Sequence, residues 1–368
     1  MLTYPKFEGL NVSSKFAICG LPVRVDSYKT CSFGCKYCFA NGRKIMEFKK
    51  NLQIADTDSI ERRLSRISNG GGQADNFLDT LLRQRITWHF GGMSDPFQPV
   101  NEELRVTNKI VDIANRYGYS ILFSTKSDTV HGANIRPDLH SFQLSVTNTA
   151  RSPEFEPFVP DLSSRLSFFR ELKLGGFNVG IRIQPFIPGI SGLDIIKAFE
   201  GADHFTIEGL KVVPQNEEQK EYVFKELGIS EDLFTQKGLL NLLPEYRYKL
   251  YEPIISYLET HGISYSISDN DMRYLTNNDC CCGDALVKKA TRFNVTAMIR
   301  KYGREYSVAE ISKEVAESGC DGCKCSDLFT SNRIDGATTV GEFFKRRFKK
   351  PSSPASPNFQ YQHNLELF

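Results

Sequence analysis

"KTCSFGCKYCFANG", residues 29–42, carries Cys31, Cys35 and Cys38 in the spacing C-x3-C-x2-C. The 368-residue chain holds ten cysteines, and its formal charge of +2 is too small to mark a protein that coats nucleic acid over its whole surface. The opening stretch "MLTYPKFEGLNVSSKF" lacks an apolar centre and is interrupted by Lys6, Glu8 and Lys15, so no secretion signal is expected. Nothing approaches the roughly 18 consecutive apolar residues of a membrane span. The expected location is therefore cytoplasmic, with no membrane partner, where thiols stay reduced. Clustered cysteines in such a chain point to metal.

Structural zinc commonly takes four ligands from paired C-x2-C knuckles. The wider first gap and the missing local fourth ligand fit that poorly. Soft thiolates suit iron–sulfur clusters, and a [4Fe–4S] cube ordinarily takes four of them. Three would leave one iron open to a ligand from outside the protein. A zinc loop whose fourth ligand lies elsewhere remains the alternative on spacing alone.

Outward from this loop, strands alternate with helices. "FAICGLPVRVD" (16–26) reads as a strand leading into the cysteines, and "ITWHFGGMSDP" (86–96) as a strand running into a glycine pair. Further strands are predicted over 120–127, 141–148, 178–189 and 204–212. Helices are predicted over 73–85, 102–118, 162–176 and 192–201, and two more over 213–230 and 246–262. Six strands separated by helices predict an α/β fold with a parallel sheet, open or closed into a barrel. In such folds chemistry gathers beyond the C-terminal strand ends, where the cysteine loop, "GGMSDP", "STKS" and "PFIPG" all fall.

The three-cysteine spacing, with Tyr37 at an aromatic place, resembles the signature of radical S-adenosylmethionine (radical SAM) enzymes. "GGMSDPFQPVNEELRVTNKI", "FSTKSD", "LSVTN" and "EFEPFVPDLSSRLSFFRELKLGGFNVGIRIQPFIPGI" narrow the resemblance to the branch containing spore photoproduct lyase. Asp95, Pro96, Gln98, Pro99, Thr107, Thr125, Lys126, Ser127, Ser145, Glu156, Pro157, Arg165, Pro185, Pro188 and Gly189 fill that branch's motif places over roughly residues 20–212. The resemblance implies a partial (β/α)6 radical SAM barrel with a C-terminal cysteine-rich extension. It implies a [4Fe–4S] cluster on Cys31, Cys35 and Cys38 whose open iron chelates S-adenosylmethionine. Reductive cleavage would then give a 5′-deoxyadenosyl radical that abstracts hydrogen from a substrate. By the same resemblance Tyr37 and Phe39 pack near the adenine, and Gly91, Gly92, Ser94 and Asp95 line the methionine end. Ser145 and Thr147 face the ribose, and Arg182 pairs with the cofactor carboxylate, a bond suited to guanidinium. A rim salt bridge is the plainer reading of Arg182, and rim salt bridge and cofactor contact are both open for Lys126.

One departure matters. The lyase that names the branch returns a hydrogen from a cysteine just before the fourth-strand serine, and here Leu144 precedes Ser145. Dimer repair by that route is not expected. Cys19 is read as a buried structural cysteine, the ordinary state of a free thiol in a strand.

A second group, Cys280, Cys281 and Cys282 with Cys320, Cys323 and Cys325, suggests an auxiliary site for a second [4Fe–4S] cluster or Zn. Adjacent cysteines do not readily face one ion, so at least one of the triplet is expected to point away. "FFKRRFKK" (343–350) mixes basic and aromatic residues, which suits nucleic acid but equally a solvated charged face. The resulting plan is a lead-in (1–15), the core barrel (16–212), its helical and strand completion (213–279), the cysteine-rich extension (280–350) and a Pro/Ser-rich tail (351–368) expected to be disordered. The expected partners are a reductant such as flavodoxin or ferredoxin, and DNA or RNA as substrate. The alternatives are a peptide- or protein-modifying radical SAM enzyme with an auxiliary cluster, and a zinc-dependent nucleic-acid-binding module without catalysis.

Overall fold

Short runs rich in aromatic and β-branched residues form the strands. They are β1 (Leu10–Val12), β2 (Val23–Val25), β3 (Trp88–Phe90), β4 (Ile121–Thr125), β5 (His140–Ser145), β6 (Asn178–Phe186), β7 (His204–Gly209) and β8 (Tyr265–Ile267). The structure, a computed structural model, describes residues 4–13, 19–42, 52–71, 76–150, 152–236, 238–269, 272–278, 280–291 and 307. Among these residues the eight strands form one sheet in the order β8-β7-β6-β5-β4-β3-β2-β1, parallel throughout except that β1 runs antiparallel to β2. Seven neighbouring parallel strands thus stand where six were expected from residues 16–212, because β8 joins from the segment 213–279.

The period-2 alternation of the strands separates two environments. Trp88, Phe90, Ile121, Phe123, Phe142, Leu144, Val179, Ile181, Phe205 and Ile207 lie in one apolar core. Helices contribute its other wall: α1 (Thr57–Ser68), α2 (Phe77–Arg83), α3 (Val106–Arg116), α4 (Leu162–Leu174), α5 (Leu193–Ala198) and α6 (Pro244–Thr260). On α1 the buried residues are Ile60, Leu64 and Ile67, a helical spacing. Asn76 and Asp161 cap α2 and α4, accepting hydrogen bonds from the backbone N–H groups of Asp79 and Ser164. Fully burying each large side chain contributes roughly 1.5–3 kcal/mol, so this layer carries the fold.

The intervening strand residues are polar apart from Leu122 and Gly180, and face the hollow of the curled sheet. His89 Nε2 bonds Ser124 Oγ at 2.7 Å, Gln143 Nε2 donates to Thr206 Oγ1 at 3.0 Å, and Arg182 donates to Gln143 Oε1 at 3.3 Å. The Gln143–Thr206 bond links β5 to β7 across β6, which only strong curvature permits.

Residues 280–291 fill the end of this hollow nearest the strand N-termini. Ser266, Thr206 and Gln143 donate to the carbonyl oxygens of Cys280, Cys281 and Cys282 at 3.3, 3.2 and 3.2 Å. Ser141 donates to the Leu286 carbonyl, Asn178 to that of Ala285, and Thr291 N to that of Gly20. Small polar side chains on the inner wall therefore satisfy backbone that would otherwise be buried unpaired. A Cβ on Gly180 would come within 2.6 Å of Leu286 Cδ1, and one on Gly283 within 2.4 Å of His204 Cγ. The segment is a fitted plug. Residues 14–18, Cys320, Cys323, Cys325, the basic stretch 343–350 and the tail 351–368 lie outside the described residues.

Candidate active site

The cysteine loop follows β2 directly and sits over the C-terminal strand ends. Gln98, fully enclosed, fastens it by accepting from Ser32 N and donating to the Thr30 carbonyl, both at 2.7 Å. Lys36 N donates to the Phe155 carbonyl at 3.0 Å, and Gln219 Nε2 to the Tyr37 carbonyl at 2.7 Å. Gly34 holds φ +64, and a Cβ there would meet the Phe158 ring at 3.0 Å. Glycine is the residue that turn tolerates.

Cys35 is buried while Cys31 and Cys38 are half-buried, and Phe33, Tyr37, Phe155 and Ile187 pack behind them. Burial, followed by the nearby Asp95 carboxylate, pushes the Cys31 thiol up to about 12. Burial likewise raises Cys35 well above its ordinary value, with Lys126 opposing. Both thiols are thus protonated until a metal displaces the proton, as thiolate coordination requires. Among the described residues no three His, Cys, Asp or Glu side chains converge on one ion position. Three thiols backed by one apolar cluster suit a soft metal, and a cube would take each thiolate on a different iron.

Beside the loop, Glu156 is completely buried and gathers charge. It accepts from Lys126 Nζ at 2.7 Å and from Tyr37 OH, and Arg165 lies 3.6 Å from its second oxygen. Thr147 Oγ1 is 3.0 Å from Tyr37 OH and 3.4 Å from Lys126 Nζ. Burial alone would raise the Glu156 carboxyl, but Lys126 and Arg165 outweigh it and hold the group below its ordinary value. Lys126 Nζ also stands 5.6 Å over the Tyr37 ring, a cation–π distance.

The "GGMSDP" turn leaves β3 with Gly91 at φ +92, where a Cβ would lie 2.3 Å from the Ser124 carbonyl oxygen. Gly92 is open, its nearest atom being Arg24 Nη1 at 3.8 Å. Asp26 accepts from Met93 N and Ser94 N, and Ser94 Oγ donates to the Tyr28 carbonyl. Asp95 accepts from Thr125 Oγ1 at 2.7 Å, Lys126 N at 2.6 Å and Phe97 N at 3.0 Å. Burial raises both carboxyls to about 6 despite these bonds.

The structure brings Tyr37, Gly91, Gly92, Ser94, Asp95, Thr147 and the three cysteines onto one rim, but the side chains of Ser94 and Asp95 brace the turn. Phe39 opens the short 3-10 turn Phe39–Gly42 after the last cysteine. Ser145 ends β5, its carbonyl accepting from Arg165. Arg182 reaches inward, donating to Gln143, Gln184 and Glu208, and Glu208 also pairs with Lys211. Glu156 and Gln98 do more positioning than their motif places suggested. Cys19 is buried in the strand lead-in, as read from sequence, and packs with Leu21, Leu122 and the plug cysteines.

These features define a class of fold: a curled parallel sheet with a three-cysteine loop on its C-terminal rim. Solved structures of spore photoproduct lyase share the fold. A single-substitution mutant of that enzyme superposes with a TM-score of 0.54 at 16% identity, covering 70% of this chain and 78% of the other. Its complex with dinucleoside spore photoproduct gives 0.53, 16%, 70% and 78%. A double mutant with bound AdoMet and the same dinucleoside gives 0.51, 14%, 70% and 78%. No protein-family model matches the chain, and no curated protein matches its sequence. At these identities the likeness establishes the fold alone: the chain has the partial-barrel fold of spore photoproduct lyase. Among the described residues no helix is long and apolar enough to cross a membrane.

Proposed function

We propose that this chain is a radical SAM enzyme whose Cys31, Cys35 and Cys38 hold a [4Fe–4S] cluster and whose substrate is a nucleic acid or nucleobase. The observation that carries this reading is the three-thiol loop of Cys31, Cys35 and Cys38 on the rim of a barrel of this fold. The bound cluster would supply the electron that cleaves S-adenosylmethionine to methionine and a 5′-deoxyadenosyl radical. A low-potential flavodoxin or ferredoxin is the reductant this chemistry calls for.

The chain's own residues have separable roles. Gly91 and Gly92 keep side chains away from the rim, leaving backbone carbonyls for the cofactor's ammonium. Tyr37, Thr147, Lys126 and Glu156 form one rigid polar wall beside the loop. The plug closes the far end of the hollow, so a substrate group enters from the cysteine side and water is kept from below.

Nucleic acid is favoured because two of the similar lyase structures hold dinucleoside spore photoproduct. Leu144 in place of a thiol argues for a different outcome on that substrate class. The test is anaerobic purification followed by reduction with dithionite in the presence of S-adenosylmethionine. About four irons per chain and 5′-deoxyadenosine as product are expected, with product absent in Cys35→Ala. A colourless protein holding only zinc would overturn the reading.

A further inference from the structure

Arg24 stands at the middle of β2 between Val23 and Val25, which both lie in the apolar core, so its side chain turns inward to the hollow. It is half-buried. Neighbouring cations of the inner wall and rim are matched by carboxylates. Lys126 and Arg165 share Glu156, Arg182 and Lys211 share Glu208, and Arg247 pairs with Asp269. Arg24 differs. Among the described residues it has no carboxylate partner, and its hydrogen bond runs from Nη2 to Cys19 Sγ at 3.3 Å, a weak acceptor. Asp26, the nearest carboxylate in sequence, is turned to Met93 N and Ser94 N. Residues 14–18, which lead into Cys19 and lie outside the described residues, contain no Asp or Glu.

Two further observations converge on this place. His89, the residue paired with Arg24 in the β2–β3 register, meets Ser124 Oγ through Nε2 at 2.7 Å. Its Nδ1 is buried with no hydrogen-bond partner among the described residues. At the glycine-rich turn, a Cβ on Gly92 would meet only Arg24 Nη1 at 3.8 Å and Arg24 Cδ at 3.9 Å, its chain neighbours aside. The guanidinium therefore borders the open space beside Gly92. Arg182, by contrast, has each side-chain nitrogen in use, Nε on Gln184, Nη1 on Gln143 and Nη2 on Glu208. It could take an external carboxylate only by giving up bonds it already makes.

We propose that Arg24 is an oxyanion-binding residue of the hollow, taking a carboxylate or phosphate group through Nη1 beside Gly92. A planar guanidinium offers paired N–H donors to such a group, and a half-buried charge is stabilised by gaining a counter-ion. The plug closes the other end of the hollow, so the anion arrives from the cysteine side. Two sources share this chemistry: the methionine carboxylate of S-adenosylmethionine, and an anionic group of the substrate such as a nucleotide phosphate. The site stands on the side chains themselves; only the identity of the anion rests on the radical SAM reading.

Titration calorimetry on the full chain, its iron and sulfide restored under anaerobic conditions, tests this with S-adenosylmethionine, decarboxylated S-adenosylmethionine and inorganic phosphate. Arg24→Met is expected to cut, by roughly tenfold or more, either the preference for S-adenosylmethionine over its decarboxylated analogue or the affinity for phosphate. A reduced preference assigns the anion to the cofactor, and a reduced phosphate affinity alone assigns it to the substrate. If both quantities change less than this, or the unmodified chain binds neither S-adenosylmethionine nor phosphate, the proposal is overturned. Should Arg24→Met lose its native far-ultraviolet circular dichroism, the unmodified chain decides. Either probe is then expected to protect Arg24 from phenylglyoxal in peptide maps, and modification that neither slows overturns the proposal. Failure of 5′-deoxyadenosine formation by the unmodified chain bears only on the cluster reading, so the two can fail separately.

Discussion

Lys126 Nζ lies 2.7 Å from Glu156 Oε1, and that carboxylate has no solvent exposure. The pair joins the end of β4 to the segment preceding α4 and, through Tyr37, to the cysteine loop. Removing one partner of a buried pair leaves the other charge uncompensated, which typically costs 3–5 kcal/mol. Arg165 still faces Glu156 and softens this. Lys126→Met is therefore expected to lower unfolding free energy by about 3 kcal/mol in urea titrations. A loss below about 0.5 kcal/mol would show that the pair does not hold this wall.

Gly91 and Gly92 separate backbone need from open space. Gly91→Ala places a Cβ at φ +92 and 2.3 Å from a backbone oxygen, which must displace β4 or the turn. It is expected to destabilise by about 3 kcal/mol or more, and Gly92→Ala by about 0.5 kcal/mol or less. Thermal melts of the two variants side by side check this. Equal melting temperatures would contradict the turn's geometry.

Buried titratable groups give opposing pH dependences. Asp26 and Asp95, raised to about 6 by burial from 3.8, bind protons more readily in the native state. Their relative stabilisation is fully present below about 3.8 and lost as pH rises through about 6. His140 and His204, lowered by burial from 6.5 to about 4 and about 3, act oppositely: stability present above 6.5 is lost as pH falls. In the native chain these effects largely offset between pH 4 and 6. Asp26→Asn removes one of the two carboxyl contributions. Its urea midpoint is expected to fall more steeply from pH 7 to pH 5 than that of the unmodified chain. An identical fall in both would show that Asp26 is not titrating near 6.

The plug gives a local prediction. Gly283→Ala forces a Cβ to 2.4 Å from the His204 ring at φ +89, so residues 280–291 are expected to leave the hollow. Hydrogen exchange should then rise over that segment while β4, β5 and β6 stay protected. Unchanged protection over 280–291 would mean that the fit at Gly283 is loose.

The outward-facing half of each strand made the fold legible. "ITWHF", "SILFSTKS" and "NVGIRIQPFIPG" alternate toward an apolar helical layer, and β2 to β7 fall within or beside the expected strand ranges, whereas β1 and β8 lie outside them. The cysteine loop was legible because its ligands are neighbours in sequence. Helix α1 was missed, although Ile60, Leu64 and Ile67 follow Asp56 at helical spacing, since "IERRLSRIS" is highly charged between its apolar residues. The plug was illegible for a deeper reason. Its partners Ser141, Gln143, Thr206 and Ser266 are ordinary polar strand residues, and Gln143 lies 139 positions from Cys282. No local pattern reports a backbone segment entering a barrel. Thus the triplet at 280–282, read as candidate metal ligands, is found in a packed floor, while its expected partners Cys320, Cys323 and Cys325 lie outside the described residues.

The central claim is that three thiolates leave one iron of a cube open to S-adenosylmethionine. Electron paramagnetic resonance of the dithionite-reduced, reconstituted chain, recorded before and after adding S-adenosylmethionine, tests it most directly. A cubane signal whose g-values shift on addition is predicted, with Cys35→Ala giving no such signal. A signal that S-adenosylmethionine leaves unchanged, or no paramagnetic cluster in a fully reconstituted sample, would contradict it.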